Sequence, residues 1–349
     1  PEASAPQSNR IDVSAGIDFI KQTSVKSALD GSARLRIQSR LAELEEPKLS
    51  PLHGWLFPFV SFGYVQGKEE GQYEPRFRIF NQFRPSENDP TDDAVRFMLQ
   101  LWDQLRFRLE LDHSVRYRVI DIYLSAGGEA GAEQLYIVDP TTKDATGVAQ
   151  KRSNIYIYHL MDPPSPLEFA RELAHEYGHA VLPAPGNFKE PESWANGDLG
   201  ERIFLTWMKE AISANRASPL DVMDADLFDL NNYFSHTVEP DLVRVATKGP
   251  NIEVLKGRGK ESYYEYLGLA TYCAMIMPGK MFGRSLMLTT TPDAEKFPAA
   301  AIEAASENEQ WEAKIPKVVA GKAIWIPLGK GTVKGAKVLR RQGDWVKVQ

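Results

Sequence analysis

The sequence predicts an α+β fold with strands near both ends of the chain and helices between them. Apolar and polar residues alternate in several stretches between Ile11 and Phe83, a pattern typical of antiparallel strands. From about residue 92 onward, several segments repeat apolar residues at three- and four-residue spacing, which favours amphipathic helices. After Lys317 the composition changes again, to short apolar runs separated by Gly-containing turns. These changes divide the chain into a β-rich region at 1–88, a mixed region at 89–290, and a helix with a small β module at 291–349.

The composition excludes several classes of partner. The chain has 349 residues, of which 43% are hydrophobic, so it is long enough to bury one large core or two to three small ones. A net charge of −6 argues against binding to nucleic acid or to an anionic membrane surface. No run of eighteen apolar residues is present, so we expect no transmembrane segment. The lone Cys273 rules out an internal disulfide, and its apolar neighbours predict a buried position.

The first residues suggest a location for the protein. Residues 1–10 are rich in Ala, Ser and Pro, and we expect them to be disordered. Such a start resembles the mature end of an exported protein, so a periplasmic or extracellular location is predicted.

One helix in the mixed region carries a set of residues suited to metal chemistry. Ser165 is a suitable N-cap with Pro166 at the first helical position, and Pro183 ends the segment. His175 and His179 are four residues apart, so they share one face of the helix and can bind one metal ion. Glu176 between them can take a proton from a water that the metal activates. The alternative is an ordinary amphipathic helix that carries two histidines by chance.

The segment from Leu173 to Val181 resembles the active-site helix of the zincin metallopeptidases, with its H-E-x-x-H motif. No third His follows His179 closely, which excludes the metzincin extension. The gluzincin pattern implies a Glu ligand from a second, downstream helix, and Glu192 fits it, with Ala195 three residues on. Asn196, one turn later, is predicted to hydrogen-bond a ligating imidazole. Asp198 and Glu201 remain alternatives for the third ligand.

The same resemblance implies a zincin-like catalytic domain, in which a mixed sheet and the metal helix form the upper half. The cleft-lining strand of such a domain pairs with an extended substrate. The segment 154–159, just before the metal helix, is the nearest candidate, and it makes Asn154 and Tyr156 predicted substrate-binding residues. His159 at its end is interpreted as an ordinary strand-end residue, with a role at the rim of the site as the alternative.

The lower half is predicted to be helical, and it offers two candidate donors to the oxyanion of a transition state. One is His236, and the other belongs to the tyrosine set Tyr263, Tyr264 and Tyr266, from which Tyr264 is our choice. Tyrosines at helical spacing are also common in half-buried cores, so each assignment has a structural alternative.

The last part of the chain predicts a helix over 293–310 and then a small β module. Gln342, Gly343 and Asp344 lie between two runs containing apolar residues, which is a hairpin signal. The module is interpreted as SH3-like, with packing or targeting as its role.

Taken together, these patterns predict a zinc metallopeptidase acting on a peptide or protein. Zinc would be bound by His175, His179 and Glu192, and Glu176 would be the general base. The alternative function is a catalytically inactive protein of the same fold that works as a surface-binding or structural module.

Overall fold

A computed structural model describes most of the chain, and its architecture is mixed α and β as predicted. The predictions for residues 1–10 and for His159 lie outside the described residues. The structure describes residues 19–25, 27–29, 37–66, 73–84, 90–115, 119–129, 131–143, 149–158, 164–289, 293–319, 321–328, 333 and 335–349.

Seven strands form one mixed sheet in the order β1-β2-β3-β4-β5-β7-β6. The β4–β5 and β5–β7 pairs are parallel, and the other pairs are antiparallel. Because β4 pairs directly with β5, no sheet boundary falls near residue 88, and the N-terminal strands extend the central sheet. The strands are β1 Phe19–Val25, β2 Ile37–Leu49, β3 Leu56–Gln66, β4 Tyr73–Asn81, β5 Ile120–Ser125, β6 Gly131–Lys143 and β7 Ala149–Tyr158.

Helices follow the pattern that the sequence predicts after residue 89. The first continues into a π-helical turn at Leu105–Leu109. No helix in the described part of the chain combines the length and apolarity needed to cross a membrane. The helices are α1 Pro90–Gln104, α2 Pro166–Val181, α3 Asn196–Ser213, α4 Leu227–Tyr233, α5 Glu239–Lys248, α6 Ile252–Leu255, α7 Lys260–Ile276, α8 Gly279–Leu288, α9 Phe297–Glu307 and α10 Trp311–Val319.

The two faces of the sheet bury different side chains. Ile155 and Ile157 of β7 belong to the large core that also contains the apolar residues of α1 and α2. On the other face, the ring of Tyr123 stacks between Phe80 and Tyr156, with centroids 5.1 and 4.9 Å apart. Burial on both faces explains why the central strands are so apolar and aromatic.

The C-terminal strands form a small second sheet, and its hairpin is confirmed. The three described strands are ordered β8-β10-β9, and Gly343 occupies the turn with φ of 58°. This sheet packs against the rest of the protein. Its Trp325 and Trp345 belong to the same buried core as Cys273 of α7. The strands are β8 Ile324–Pro327, β9 Val338–Gln342 and β10 Trp345–Val348.

Candidate metal centre

Helix α2 begins and ends where the sequence predicts. The Ser165 side chain accepts a hydrogen bond from the backbone N–H of Glu168 at 3.3 Å, and Pro166 is the first helical residue. At the other end, the backbone N–H of Leu182 donates to the carbonyl of Gly178 at 2.9 Å. Leu173 and Tyr177 are buried against the core, which leaves the two motif histidines on the opposite, half-exposed face.

Helices α2 and α3 approach each other closely at glycines. A Cβ on Gly178 would lie 2.4 Å from the carbonyl oxygen of Asn196, and a Cβ on Gly200 would lie 2.6 Å from the Cα of Gly178. No side chain fits between these backbones, so the N-terminus of α3 lies directly beside the histidines of α2. Gly197 also leaves no room for a side chain, but here the imidazoles of α2 lie in the way. A Cβ there would lie 2.4 Å from Nε2 of His175 and 2.5 Å from Nε2 of His179.

Three ligand-type atoms converge at this point. The Nε2 atoms of His175 and His179 are 3.1 Å apart. Glu192 places Oε1 at 3.0 Å from His175 Nε2 and Oε2 at 3.5 Å from His179 Nε2. Atoms bound about 2.0–2.2 Å from a tetrahedral zinc lie about 3.3–3.6 Å from one another. The Glu192–His179 separation lies in this range and the other two are slightly shorter, so small shifts of the side chains would accommodate such an ion. Because Gly197 has no side chain, the space beside both Nε2 atoms stays open.

The opposite ring nitrogens fix which atoms carry protons. Asn196 donates through Nδ2 to the carbonyls of His179 and Leu182, so its Oδ1 faces His179 Nδ1 at 2.7 Å as an acceptor. His175 Nδ1 faces Oδ1 of Asp198 at 3.3 Å. With each Nδ1 hydrogen directed at these acceptors, a ring that loses its second proton to make way for a metal ion presents its Nε2 lone pair toward the carboxylate of Glu192. Three acceptors at this separation repel one another unless positive charge lies between them.

The pKa values of this cluster favour positive charge at the same point. Burial lowers the pKa of His175, but the neighbouring carboxylates of Asp198, Glu192 and Glu201 outweigh it and raise the pKa to about 12. Burial raises the pKa of Glu192, but hydrogen bonds to both histidines outweigh it and lower the pKa to about 2. The carboxylates thus stay ionised and electrostatically stabilise a cation at the imidazoles.

Glu176 lies beside the cluster and is only 6% exposed. Burial raises the pKa of its carboxyl group, while the neighbouring His175 and His179 lower it. A carboxylate in this position is poorly solvated, which makes it a better proton acceptor than one in water.

The prediction that Glu192 lies on a helix is wrong. Helix α3 begins only at Asn196, and Glu192 belongs to the preceding loop. Gly186 and Trp194 form an isolated β-bridge, and the N–H of Phe188 donates to the carbonyl of Ser193. This pairing turns the segment back on itself and carries Glu192 to the histidines within a short connection. Trp194, which sequence reasoning missed, exposes 48% of its surface two residues after Glu192.

The two alternative ligands, Asp198 and Glu201, lie on α3 behind His175. Asp198 Oδ1 and Glu201 Oε2 are 3.3 and 3.7 Å from Nδ1 of His175, on the far side of the ring from Glu192. His175, Asp198 and Glu201 form a second group with metal-ligand spacing. Glu201 also pairs with Arg171 Nε at 2.7 Å. The positive charge of Arg171 therefore lies beside this second group.

The predicted oxyanion donors have different surroundings. His236 is exposed, and its Nδ1 contacts the carbonyl of Asn232 at 2.8 Å. Tyr264 is 38% exposed and packs its ring on Tyr263. The member of the tyrosine set that reaches the site is the buried Tyr263, whose hydroxyl donates to Asp198 Oδ2 at 2.8 Å. Roles for His236 and Tyr264 stay predictions, and Tyr263 is not available as an oxyanion donor because Asp198 accepts its hydrogen.

Residues 154–158, the described part of the segment predicted to line the cleft, lie in the interior of the sheet. Strand β7 is interior, because β5 pairs with it on one side and β6 on the other. Asn154 is 2% exposed and Tyr156 is fully buried, with the Tyr156 hydroxyl accepting from the N–H of Leu52. The strand at the edge of the sheet is β6, and its Tyr136 hydroxyl donates to the carbonyl of His179 at 3.0 Å.

No model of a known protein family matches the chain, and the comparison with curated proteins gives no significant match. The geometry of the site is therefore the basis of the functional argument.

Proposed function

We propose that the protein is a zinc-dependent metallopeptidase with His175, His179 and Glu192 as metal ligands. The observation that carries this proposal is the convergence of two Nε2 lone pairs and one carboxylate at separations of 3.0–3.5 Å, with both Nδ1 hydrogens engaged elsewhere. A zinc ion bound there would supply Lewis-acid chemistry, polarising a carbonyl and lowering the pKa of a water.

Glu176 is the proposed general base. It lies on the same helix turn as His175 and is nearly shielded from solvent. It would take a proton from the attacking water and pass that proton to the leaving amine. Tyr263 and Asn196 do not move protons in this scheme, since each is occupied in hydrogen bonds that hold the site.

The substrate in this proposal is an extended peptide or protein segment. Among the described strands β6 ends the sheet, and an edge strand is where an extended chain adds to a sheet. Residues 131–137 of this strand are partly exposed, and Tyr136 connects the strand to the end of the motif at His179. A substrate bound along β6 would therefore lie next to the proposed ligands. An exported location fits such an enzyme and remains a proposal from the sequence.

The experiment compares metal content and hydrolysis in wild type and three variants. Purified wild type should contain one zinc per chain, and His175→Ala and Glu192→Ala should lose it, because each removes one of three ligands. Glu176→Gln keeps the shape of the side chain and should bind zinc normally, while its hydrolysis of a broad peptide mixture falls by roughly two to four orders of magnitude.

Two outcomes would contradict the proposal. Wild type that neither contains zinc nor takes it up from a zinc buffer has no metal site of this kind. Equal turnover by wild type and Glu176→Gln would remove Glu176 from the mechanism. Zinc binding with no turnover of any peptide by either protein would favour the inactive, surface-binding alternative.

A further inference from the structure

One of the two proposed histidine ligands is backed by two acidic groups. His175 Nδ1 faces Asp198 and Glu201, which are three residues apart on α3, whereas His179 Nδ1 faces the neutral amide of Asn196. A single N–H can make one good hydrogen bond, so the question is which carboxylate orients His175.

Glu201 is already committed to another partner. Its Oε1 accepts from Arg171 Nε at 2.7 Å, and Arg171 Nη1 also donates to Glu168 at 2.7 Å. The guanidinium lies over the ring of Tyr233, 5.5 Å from its centroid. Glu201 is 6% exposed, and this pairing compensates its buried charge. Its Oε2 remains 3.7 Å from His175, too far for a direct hydrogen bond.

Asp198, unlike Glu201, has no arginine partner among the described contacts. One of its oxygens accepts a hydrogen bond from a tyrosine and the other faces His175. Its Oδ2 accepts from the hydroxyl of Tyr263 at 2.8 Å, and its Oδ1 lies 3.3 Å from His175 Nδ1. Tyr263 itself is fully buried on α7, and its ring packs edge-on against Phe188 with centroids 5.2 Å apart. The hydroxyl of Tyr263 therefore has a fixed position, and it fixes the carboxylate in turn.

We propose that Asp198 and Tyr263 are the positioning residues of the metal centre, and that Glu201 is not. Asp198 accepts the Nδ1 hydrogen of His175 and so aims the Nε2 lone pair at the point where Glu192 and His179 converge. Tyr263 holds Asp198 in this orientation from α7. The inference rests on the proposed metal site, since orientation of the ring matters only if Nε2 binds an ion.

The test measures zinc affinity, by competition with a chromogenic chelator, in the full-length protein. Asp198→Asn should weaken zinc binding by roughly 10–100-fold, the usual effect of losing such a partner. Tyr263→Phe should weaken it in the same direction by a smaller factor. Tyr264→Phe is the matched control, because it removes the neighbouring hydroxyl and should leave the affinity unchanged. Glu201→Gln should change the affinity much less than Asp198→Asn.

Two further readouts separate positioning from a purely structural role. The Co²⁺-substituted protein should show altered visible absorption bands in Asp198→Asn and Tyr263→Phe, since the coordination geometry changes. A general loss of stability would not change these bands. In the Asp198→Asn background, Tyr263→Phe should have almost no further effect, because the hydroxyl acts through that carboxylate.

The outcomes distinguish this inference from the proposed function. Wild type that binds no zinc would overturn both. Tight zinc binding by wild type and Asp198→Asn alike would overturn the positioning role alone, as would a larger loss in Glu201→Gln. If Asp198→Asn does not fold, Tyr263→Phe decides the matter, because it removes only a hydroxyl, and an affinity equal to that of Tyr264→Phe would overturn the inference.

Discussion

His113 contacts helix α2 on the side away from the proposed ligands, and it does so as a neutral ring. Its Nε2 contacts the carbonyl of Arg76 at 3.1 Å, so this nitrogen carries the hydrogen, and its Nδ1 accepts from the hydroxyl of Tyr177 at 2.8 Å. Burial is the largest cause of its low pKa, which Asp112 and the carbonyl of Arg76 raise only in part, leaving a pKa of about 4. Tyr177 lies on α2, so protonation of His113 would disturb the helix of the proposed site.

Because His113 is buried as a neutral ring, we expect the free energy of unfolding to fall in acid. The unfolded chain binds a proton at His113 near pH 6.5 and the folded chain only near pH 4, so unfolding takes up a proton between these values. Stability is therefore full above pH 6.5 and falls as the pH drops through this window. The expected contribution is a loss of about 2 kcal/mol in the free energy of unfolding between pH 7 and pH 5.

Urea denaturation at both pH values measures this loss. His113→Gln should remove most of the pH-dependent difference, even if the variant is less stable at pH 7. The matched control is His236→Gln, since His236 is exposed, and this variant should retain the wild-type difference. Equal pH dependence in wild type and His113→Gln would show that other groups cause the acid sensitivity.

At the scale of elements, the contact between α2 and α3 depends on glycine. Alanine at an ordinary helical position is more stable than glycine by about 1 kcal/mol. At Gly178 the sign should reverse, because the new Cβ would lie 2.4 Å from the carbonyl of Asn196 and must push α3 away. We expect Gly178→Ala to lower the free energy of unfolding by about 1–3 kcal/mol. It should also weaken zinc binding, since Asn196 and Glu192 would shift with α3.

The control for this prediction is Gly259→Ala. Gly259 precedes α7 with φ of −89°, and a Cβ there would meet no atom within 4 Å. Because Gly259 is the N-cap of α7, alanine there should lower the free energy of unfolding by less than about 1 kcal/mol and leave zinc affinity unchanged. Unfolding in urea and chelator competition measure both quantities, and a stabilised Gly178→Ala would show that the helices have room to separate.

The same elements show how far the sequence predicts the site. Helix α2 is predicted correctly because its cap, its first proline and its terminating Pro183 are all local signals. The loop position of Glu192 is not predicted from the sequence. It depends on the bridge between Gly186 and Trp194, a pairing that leaves no periodic pattern. The interior position of β7 is missed for a related reason: alternation predicts a strand, but not which neighbours pair with it.

No local sequence pattern predicts the hydrogen bond between Tyr263 and Asp198. They are 65 residues apart and meet only because α7 packs beside α3. The sequence does indicate which tyrosine helix is involved, since the set at 263–266 lies in an apolar, helical segment. Which member contacts Asp198 depends on packing, so the sequence alone does not distinguish Tyr263 from Tyr264.

At the scale of the whole molecule, the C-terminal sheet and helix α2 share one core. Trp325 is 1% exposed and packs among residues of the same cluster as Leu173 of α2. Its carbonyl accepts from the hydroxyl of Tyr272 at 2.7 Å, and Trp311 Nε1 donates to the carbonyl of Pro327 at 2.7 Å. Removing the sheet would leave both buried donors without partners, which is unfavourable in an apolar interior. We therefore expect β8–β10 to unfold together with the body of the protein.

Trp325→Ala tests this shared core. Truncating a buried tryptophan destabilises a protein by about 3–5 kcal/mol, and for a chain of this length that corresponds to a fall in Tm of about 4–7 °C. Because the core is continuous, calorimetry should show one main transition in wild type, and the substitution should move that whole transition. Hydrogen exchange in α2 should accelerate as well, although α2 is distant from the substitution in sequence. Leu339→Ala, at a position 43% exposed in the same small sheet, should leave Tm nearly unchanged. Two separate transitions, with only the smaller one shifted by Trp325→Ala and exchange in α2 unaffected, would instead identify the C-terminal sheet as an independently folding unit.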